Sequence, residues 1–291
     1  MLRFTRSTAF DYAKAPLSTS FGENSNDEGD RWAAYTASAN FSNVAPLPRL
    51  KFTSPVLRKL SQFSRLEVQD VCALDSLLTF PKLLGAGQIL VDENCMVDHV
   101  YVLVRGMACR YKMLPGGERQ ILGYVIPGDV CDVHFVTLNK SDHSLVLLGD
   151  SDVVKIPTHK IKALLAEHPR IERALSLAAL HDIVILREWL VNVGQRDALQ
   201  KVSHFFCEIT HRLARIGQVA EDGSFELPIN QAALADTTGL TPVHINRTLQ
   251  RLRNDGLIRL CQRRLSIVDA DRLAAIAGFD DNYLRVKQCT R

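Results

Sequence analysis

The sequence predicts an α+β chain: an antiparallel β-roll with flanking helices, one long helix, then a C-terminal helix-turn-helix with a wing. Three observations predict it. Short apolar runs bounded by Gly, Pro, Asn and Asp fill the stretch from Pro81 to about Ile156. A helical pattern runs unbroken from about Pro169 to Val193. Two short, capped helical segments then meet at Gly239.

The chain has 291 residues, which suggests two domains at roughly 100–200 residues each. Residues 1–50 are read as a disordered extension: SFGENSNDEGD is polar and turn-rich, and Pro46 and Pro48 follow it. The opening MLRFTRSTAF lacks the apolar stretch of a secretory signal. No apolar run reaches the roughly 18 residues of a membrane span. The expectation is a cytoplasmic protein with no membrane partner.

Residues 51–168 are read as a sensor domain. Apolar residues at Val56, Leu57, Leu60 and Phe63, then at Val68, Val71, Leu74, Leu77 and Leu78, give short helices. GQILVD, HVYVLVRG, CRYKML, RQILGYVI, HSLVLLG and DVVKI read as strands, joined by turns such as Pro127-Gly128-Asp129. Even spacing suits an antiparallel roll, though any small β-barrel fits the pattern. Thr158–Glu167 is one short helix. Residues 169–194 form the long one, with Pro169 suited to its first turn. Its apolar residues occupy more than one face: Ile171, Leu175 and Ala178, but also Leu177, Leu180, Val184 and Val191. Such a helix needs two partners. One is the roll. The other is either the same helix of a second copy or more of this chain. Asp182 and Asn192 interrupt the seam.

Residues 195–270 are read as the winged helix-turn-helix and 271–291 as a tail. Asp197 caps the first helix, which Gly217 ends. Asn230 caps QAALADTTG, with Ile229 placed to staple onto Leu234. Thr241 caps the next helix and Pro242 takes its first position. PVHINRTLQRLRNDG places Ile245, Leu249 and Leu252 on one face and His244, Arg247, Gln250 and Arg251 on the other. Residues near the start of a recognition helix reach base edges in the major groove, so Thr241, Val243, His244, Asn246 and Arg247 are the candidate readers. Arg251 is expected nearer phosphate. LIRL and RRLSIV, separated by Cys261-Gln262, read as a wing, with Arg263 and Arg264 near its tip for phosphate contact.

Charge agrees with this placement. The net charge of the chain is only +3. Residues 240–264, however, hold six Arg and a single acid, Asp255. A local basic stripe on a balanced protein is the footprint of a nucleic-acid contact. The seven Cys include no CxxC pair and are read as reduced thiols, with no metal site. No P-loop, GxSxG or HExxH occurs, so an enzyme is not expected.

Three stretches carry a resemblance: LPGGERQILGYVIPGDVCDVH (114–134), the long helix running into GQRDALQKVSHFFCEI (194–209), and LPINQAALADTTGLTPVHINRTLQRLRNDGLI (227–258). The chain resembles the Crp/Fnr family of transcription regulators, in particular its alphaproteobacterial branch. That implies a cyclic-nucleotide-binding-like roll, a dimerisation helix and a homodimer on double-stranded DNA with a palindromic operator. RNA polymerase and a small-molecule effector of unknown identity are the further partners it implies. Arg247 is retained among the family's base-reading positions. Pro242 and Val243 stand where the family often has Arg and Glu. Cyclic-AMP-binding members carry a Gly-Glu pair after the PGD turn and an Arg-Ser pair further on. Here those regions read Asp132-Val133 and Ser141-Asp142, and an Asp there would repel a phosphate. Cyclic AMP, an iron–sulfur cluster and haem are all disfavoured, and the cofactor is left unknown. His134, Asp142 and His143 are the candidate effector-pocket residues. The alternative function is a sensory module acting through protein partners rather than DNA.

Overall fold

In the computed structural model, which describes residues 54–133 and 140–285, two short helices lead into the roll. They are α1 (Pro55–Leu60) and α2 (Val68–Leu77). Eight strands follow: β1 (Lys82–Leu84), β2 (Ile89–Val91), β3 (His99–Arg105), β4 (Ala108–Met113), β5 (Arg119–Val125), β6 (Val130–Cys131), β7 (Ser144–Leu147) and β8 (Ser151–Pro157). They form two four-stranded antiparallel sheets, in the orders β1-β8-β3-β6 and β2-β7-β4-β5. The reading of residues 1–50 as a disordered extension lies outside the described residues.

The two sheets enclose Leu103, Ala108, Val125, Cys131, Leu145, Leu147 and Val153. The PGD turn ahead of β6 requires its glycine. Gly128 has φ +93°, and a Cβ there would stand 2.6 Å from the Pro55 carbonyl oxygen. The outer face of the first sheet, at Val100, Val102, Val154 and Ile156, packs on α1, α2 and the helices that follow β8.

Those helices are α3 (Thr158–Glu167) and α4 (Pro169–Gln195). At 1.5 Å per residue the 27 residues of α4 span roughly 40 Å. The residues that interrupt its apolar seam have structural partners. Asn192 is buried and donates to the Lys201 carbonyl at 3.3 Å, across the turn into the next helix. Asp182 faces Arg110 of β4.

The C-terminal domain contains α5 (Ala198–Arg215), β9 (Ser224–Glu226), α6 (Gln231–Thr238), α7 (Pro242–Asn254), β10 (Ile258–Cys261), β11 (Arg264–Ile267), α8 (Ala270–Ala277) and a 3-10 turn at Asp281–Leu284. Asp197 and Gln200 form a reciprocal capping box at the start of α5. The predicted tail from 271 is a correction to the sequence reading. Leu273, Ala277 and Leu284 are buried, and α8 starts on an Asp269 cap. The amphipathic spacing of DRLAAIA was too short to stand out. Strand β9 was also not foreseen; it pairs with β11 and makes the wing three-stranded, in the order β10-β11-β9. Among the described residues no helix is long and apolar enough to cross a membrane.

One buried and one largely buried histidine make this domain acid-sensitive. His204 is 1% exposed at its side chain and lies between Phe279 and Tyr283. Burial, with Arg196 nearby, pushes it down to about 4. Burial and then Arg215 push His211 down to about 4 as well. Both groups bind a proton more readily when unfolded, so stability falls as pH drops from about 6.5 towards about 4. The upper bound is about 3 kcal/mol for each. We expect thermal unfolding to show a lower Tm at pH 4.5 than at pH 7.5, with a smaller drop in His204→Phe. Equal drops in the two proteins would contradict the assignment of His204.

Candidate nucleic-acid interface and sensing cavity

The interface is built from local signals. The Asn230 side chain accepts from the Ala233 N–H at 2.8 Å and starts α6. Gly239 ends it at φ +67°. Thr241 caps α7 by accepting from the His244 N–H at 3.3 Å, and Pro242 follows at the first position. Ile245, Leu249 and Leu252 are fully buried in the same core as Leu234 and Ile229. Burying that face leaves the other face of α7 in solvent.

On that free face lie Val243, His244, Asn246, Arg247, Gln250 and Arg251. Val243 is 59% exposed. The His244 ring nitrogen lies 3.2 Å from the Thr241 hydroxyl. The Asn246 amide donates to Gln231 Oε1 at 3.4 Å, a bond between the two helices. Arg251 makes a loose 3.7 Å pair with Asp255 one turn on. Arg247 is exposed and makes no hydrogen bond or ion pair with any other described residue. Its five donors are available to a ligand.

The wing turns one residue later than the sequence suggested. Cys261 pairs with Arg264, and the two-residue turn is Gln262-Arg263. Both have positive φ, +47° and +60°, which a tight hairpin of right-handed twist requires at both positions. Side chains other than Gly, Asn and Asp occupy this region at a cost of roughly 1–3 kcal/mol each. The turn leaves Arg263 exposed at the tip. Arg264 lies in β11 rather than at the tip, and its guanidinium donates to the Ser224 hydroxyl at 2.6 Å.

The second feature is a cavity of about 640 Å³ between the roll and α4. Its α4 wall is apolar, with Leu175, Ala178 and Ile183 among its residues. Its floor is ionic. His143 Nδ1 lies 2.7 Å from Asp142 and its Nε2 lies 3.2 Å from Asp132. Burial works against a charge on His143, but Asp132 and Asp142 outweigh it and raise its pKa above the ordinary histidine value. Asp132 also accepts from Arg110 Nε at 2.8 Å, and Arg110 Nη2 lies 3.6 Å from Asp182 on α4. At the other end Asp129 is bracketed by Lys59 and Arg212. Burial disfavours the Asp129 carboxylate, yet those two cations hold it below the usual range. Of the candidate pocket residues, the structure brings Asp142 and His143 together here; His134 lies outside the described residues.

Lys59, Arg110 and Arg212 were not singled out from sequence, and Asp182 was noted only as an interruption of the α4 seam. A cyclic nucleotide would need an unengaged cation for its phosphate. Among the described residues the lining holds three permanent cations and four carboxylates, and each cation already faces a carboxylate. No cation among the described lining residues is left unengaged to meet such a phosphate. A thiol switch at Cys109 or Cys131 finds no support: burial pushes Cys109 up to about 12 and raises Cys131 further still.

Comparison with known proteins agrees with this layout. Residues 81–168 match a family model described as a cyclic nucleotide-binding domain, and residues 200–276 match one described as a Crp-like helix-turn-helix domain. A protein of Rhizobium leguminosarum bv. viciae named "Probable transcriptional activator" is 31% identical over 191 residues, 65% of this chain and 77% of that protein. The transcriptional activatory protein AadR of Rhodopseudomonas palustris is 29% identical over 194 residues, 67% of this chain and 80% of AadR. The solved structure of FixK2 from Bradyrhizobium japonicum superposes with a TM-score of 0.61 at 20% identity, over 69% of this chain and 98% of FixK2. With the roll, the long helix and the capped, arginine-faced helix-turn-helix in place, the chain belongs to the Crp/Fnr family of transcription regulators.

Proposed function

We propose that the chain is a homodimeric, sequence-specific DNA-binding regulator whose α7 enters the major groove. One observation carries this reading: Arg247 stands exposed, with no hydrogen-bond or ion-pair partner among the described residues, on a helix whose opposite face is fixed in the core. Arg donates two hydrogen bonds to guanine O6 and N7, worth about 1–3 kcal/mol of discrimination. Val243, with its exposed methyls, suits a thymine methyl. Thr241, His244 and Asn246 flank the same groove wall. Arg251, and Arg263 at the wing tip, meet phosphates, and Arg264 supports the wing from within. RNA polymerase is the partner that such a regulator acts on, in line with relatives named activators.

Dimerisation is assigned to α4. Leu180, Ile183, Leu186 and Leu190 are 57%, 45%, 49% and 74% exposed, at intervals of three and four residues along one side of the helix. An apolar stripe of this length seeks a partner helix. A second copy supplies the same stripe, and its twofold symmetry matches a palindromic site. The effector is assigned to the cavity between the roll and α4, where Asp142 and His143 contribute to the floor. The wall it shares with α4 makes any occupant a lever on the dimer helix.

Three outcomes follow from this reading. Arg247→Ala should relax base preference at one step in each half-site, by about 5- to 150-fold for 1–3 kcal/mol. An in vitro selection from randomised duplexes reads this, and an unchanged consensus would contradict the placement of α7. Leu190→Asp should shift the full chain from dimer to monomer in sedimentation at micromolar concentration; a persisting dimer would remove α4 from the interface. Millimolar cyclic AMP should leave Tm unchanged, because no cation is released to meet the phosphate. A saturable rise in Tm would contradict the reading that the cavity's cations are fully engaged by its carboxylates.

A further inference from the structure

The helix-turn-helix is held by more than the end of the long helix. Its first helix, α6, lies against β5 of the roll. The Tyr124 hydroxyl is 2.6 Å from Thr237 Oγ1, in a buried contact. The Thr237 hydroxyl donates to the Ala233 carbonyl at 2.7 Å. Its single proton is thereby committed, so Tyr124 is the donor across the seam. Tyr124 has little freedom to move. It is 1% exposed, and its ring packs on Trp189 and Phe205 at centroid distances of 5.8 and 5.2 Å. Burial raises its phenol above the ordinary range, so it remains a donor at every working pH.

Beside it on the same helix, Asp236 accepts from Arg119 Nε at 2.7 Å. Both side chains are about a third exposed or less. The Arg119 guanidinium also lies 5.7 Å over the Tyr111 ring, which limits the directions it can take. A second approach closes the seam further along: a Cβ built on Gly149 would lie 3.2 Å from Pro228, just ahead of α6.

The recognition helix inherits its position from this contact. Only Gly239, Leu240 and Thr241 separate α6 from α7, and the two helices share Leu234, Ile245 and Leu249 in one core. Wherever β5 holds α6, Arg247 follows. We infer that Arg119 and Tyr124 are positioning residues for DNA recognition, pinning α6 to the roll and so setting the distance between the two recognition helices of the dimer. This rests on the homodimeric DNA-binding reading above. A pinned pair meets both halves of a palindrome without further ordering, and the second half-site benefits from a high effective concentration. A single half-site engages one domain and is indifferent to the pin.

The test compares two labelled duplexes, a full palindrome from the selection above and the same duplex with one half scrambled. In Arg119→Glu a like charge faces Asp236. Full-palindrome affinity should fall about tenfold, with half-site affinity within about twofold of the wild type. The charge swap R119E/D236R should recover most of the loss. Tyr124→Phe, which removes only the hydroxyl, should shift the same ratio by a smaller factor. Thermal unfolding of each variant separates loss of fold from loss of positioning. A wild-type ratio in Arg119→Glu, equal losses on both duplexes, or no recovery in the swap would overturn the inference. A wild-type chain that enriches no duplex in that selection would overturn the DNA reading itself, and the pin with it.

Discussion

Leu145 and Leu147 of β7 point into the roll, while Val146 between them points outward into the core that holds Phe205 and Leu234. The same alternation occurs on β4, where Ala108 faces inward and Cys109 outward. A sheet with apolar residues on both faces must be covered twice. The first layer is the other sheet of the roll. The second is the C-terminal domain, which thereby shares a core with the sensor. Burial of this surface at roughly 25 cal/mol per Å² makes the seam between the two domains a structural element rather than a hinge of convenience.

The seam also carries charge. From Lys59 on α1 the chain of contacts passes through Asp129, Arg212 and Glu208 to Trp189 on α4 and Tyr283 beyond α8. Arg212 in addition donates to the Tyr124 carbonyl at 3.0 Å. Such buried pairs add little net stability, but removing one partner leaves an uncompensated charge, at about 3–5 kcal/mol. They therefore fix one relative placement of roll, long helix and DNA-binding domain. The cavity floor continues the same logic, because Arg110 bridges Asp132 of the roll to Asp182 of α4. The cavity thus presents carboxylates on its floor and, in α4, a wall that is already braced.

The parts of the fold written in local chemistry were legible in the sequence. Asn230, Gly239, Thr241 and Pro242 each act through their own backbone neighbours, so their spacing was enough to place the helix-turn-helix. Arg247 could be assigned to the free face because Ile245, Leu249 and Leu252 define the buried one. What depended on distant partners was not legible. Arg110 reads as one more cation in CRYKM, and only the fold shows Asp132 and Asp182 around it. Strand β9 is three residues long and exists because β11 offers it an edge. Helix α8 is eight residues long and is stabilised by packing on α5, not by its own pattern. The wing turn lacks the Asn-Gly signature of its class, so its register came out one residue short.

The central claim is that the arginine face of α7 meets a polyanion. The most direct measurement is the salt dependence of binding to a fluorescent palindromic duplex, followed by anisotropy between about 50 and 200 mM salt. A face that meets phosphates through Arg251 and Arg263 and bases through Arg247 predicts a steep linear fall of log affinity with log salt, of several units of slope per dimer. Affinity that is absent at the lowest salt, or flat across the series, would contradict it.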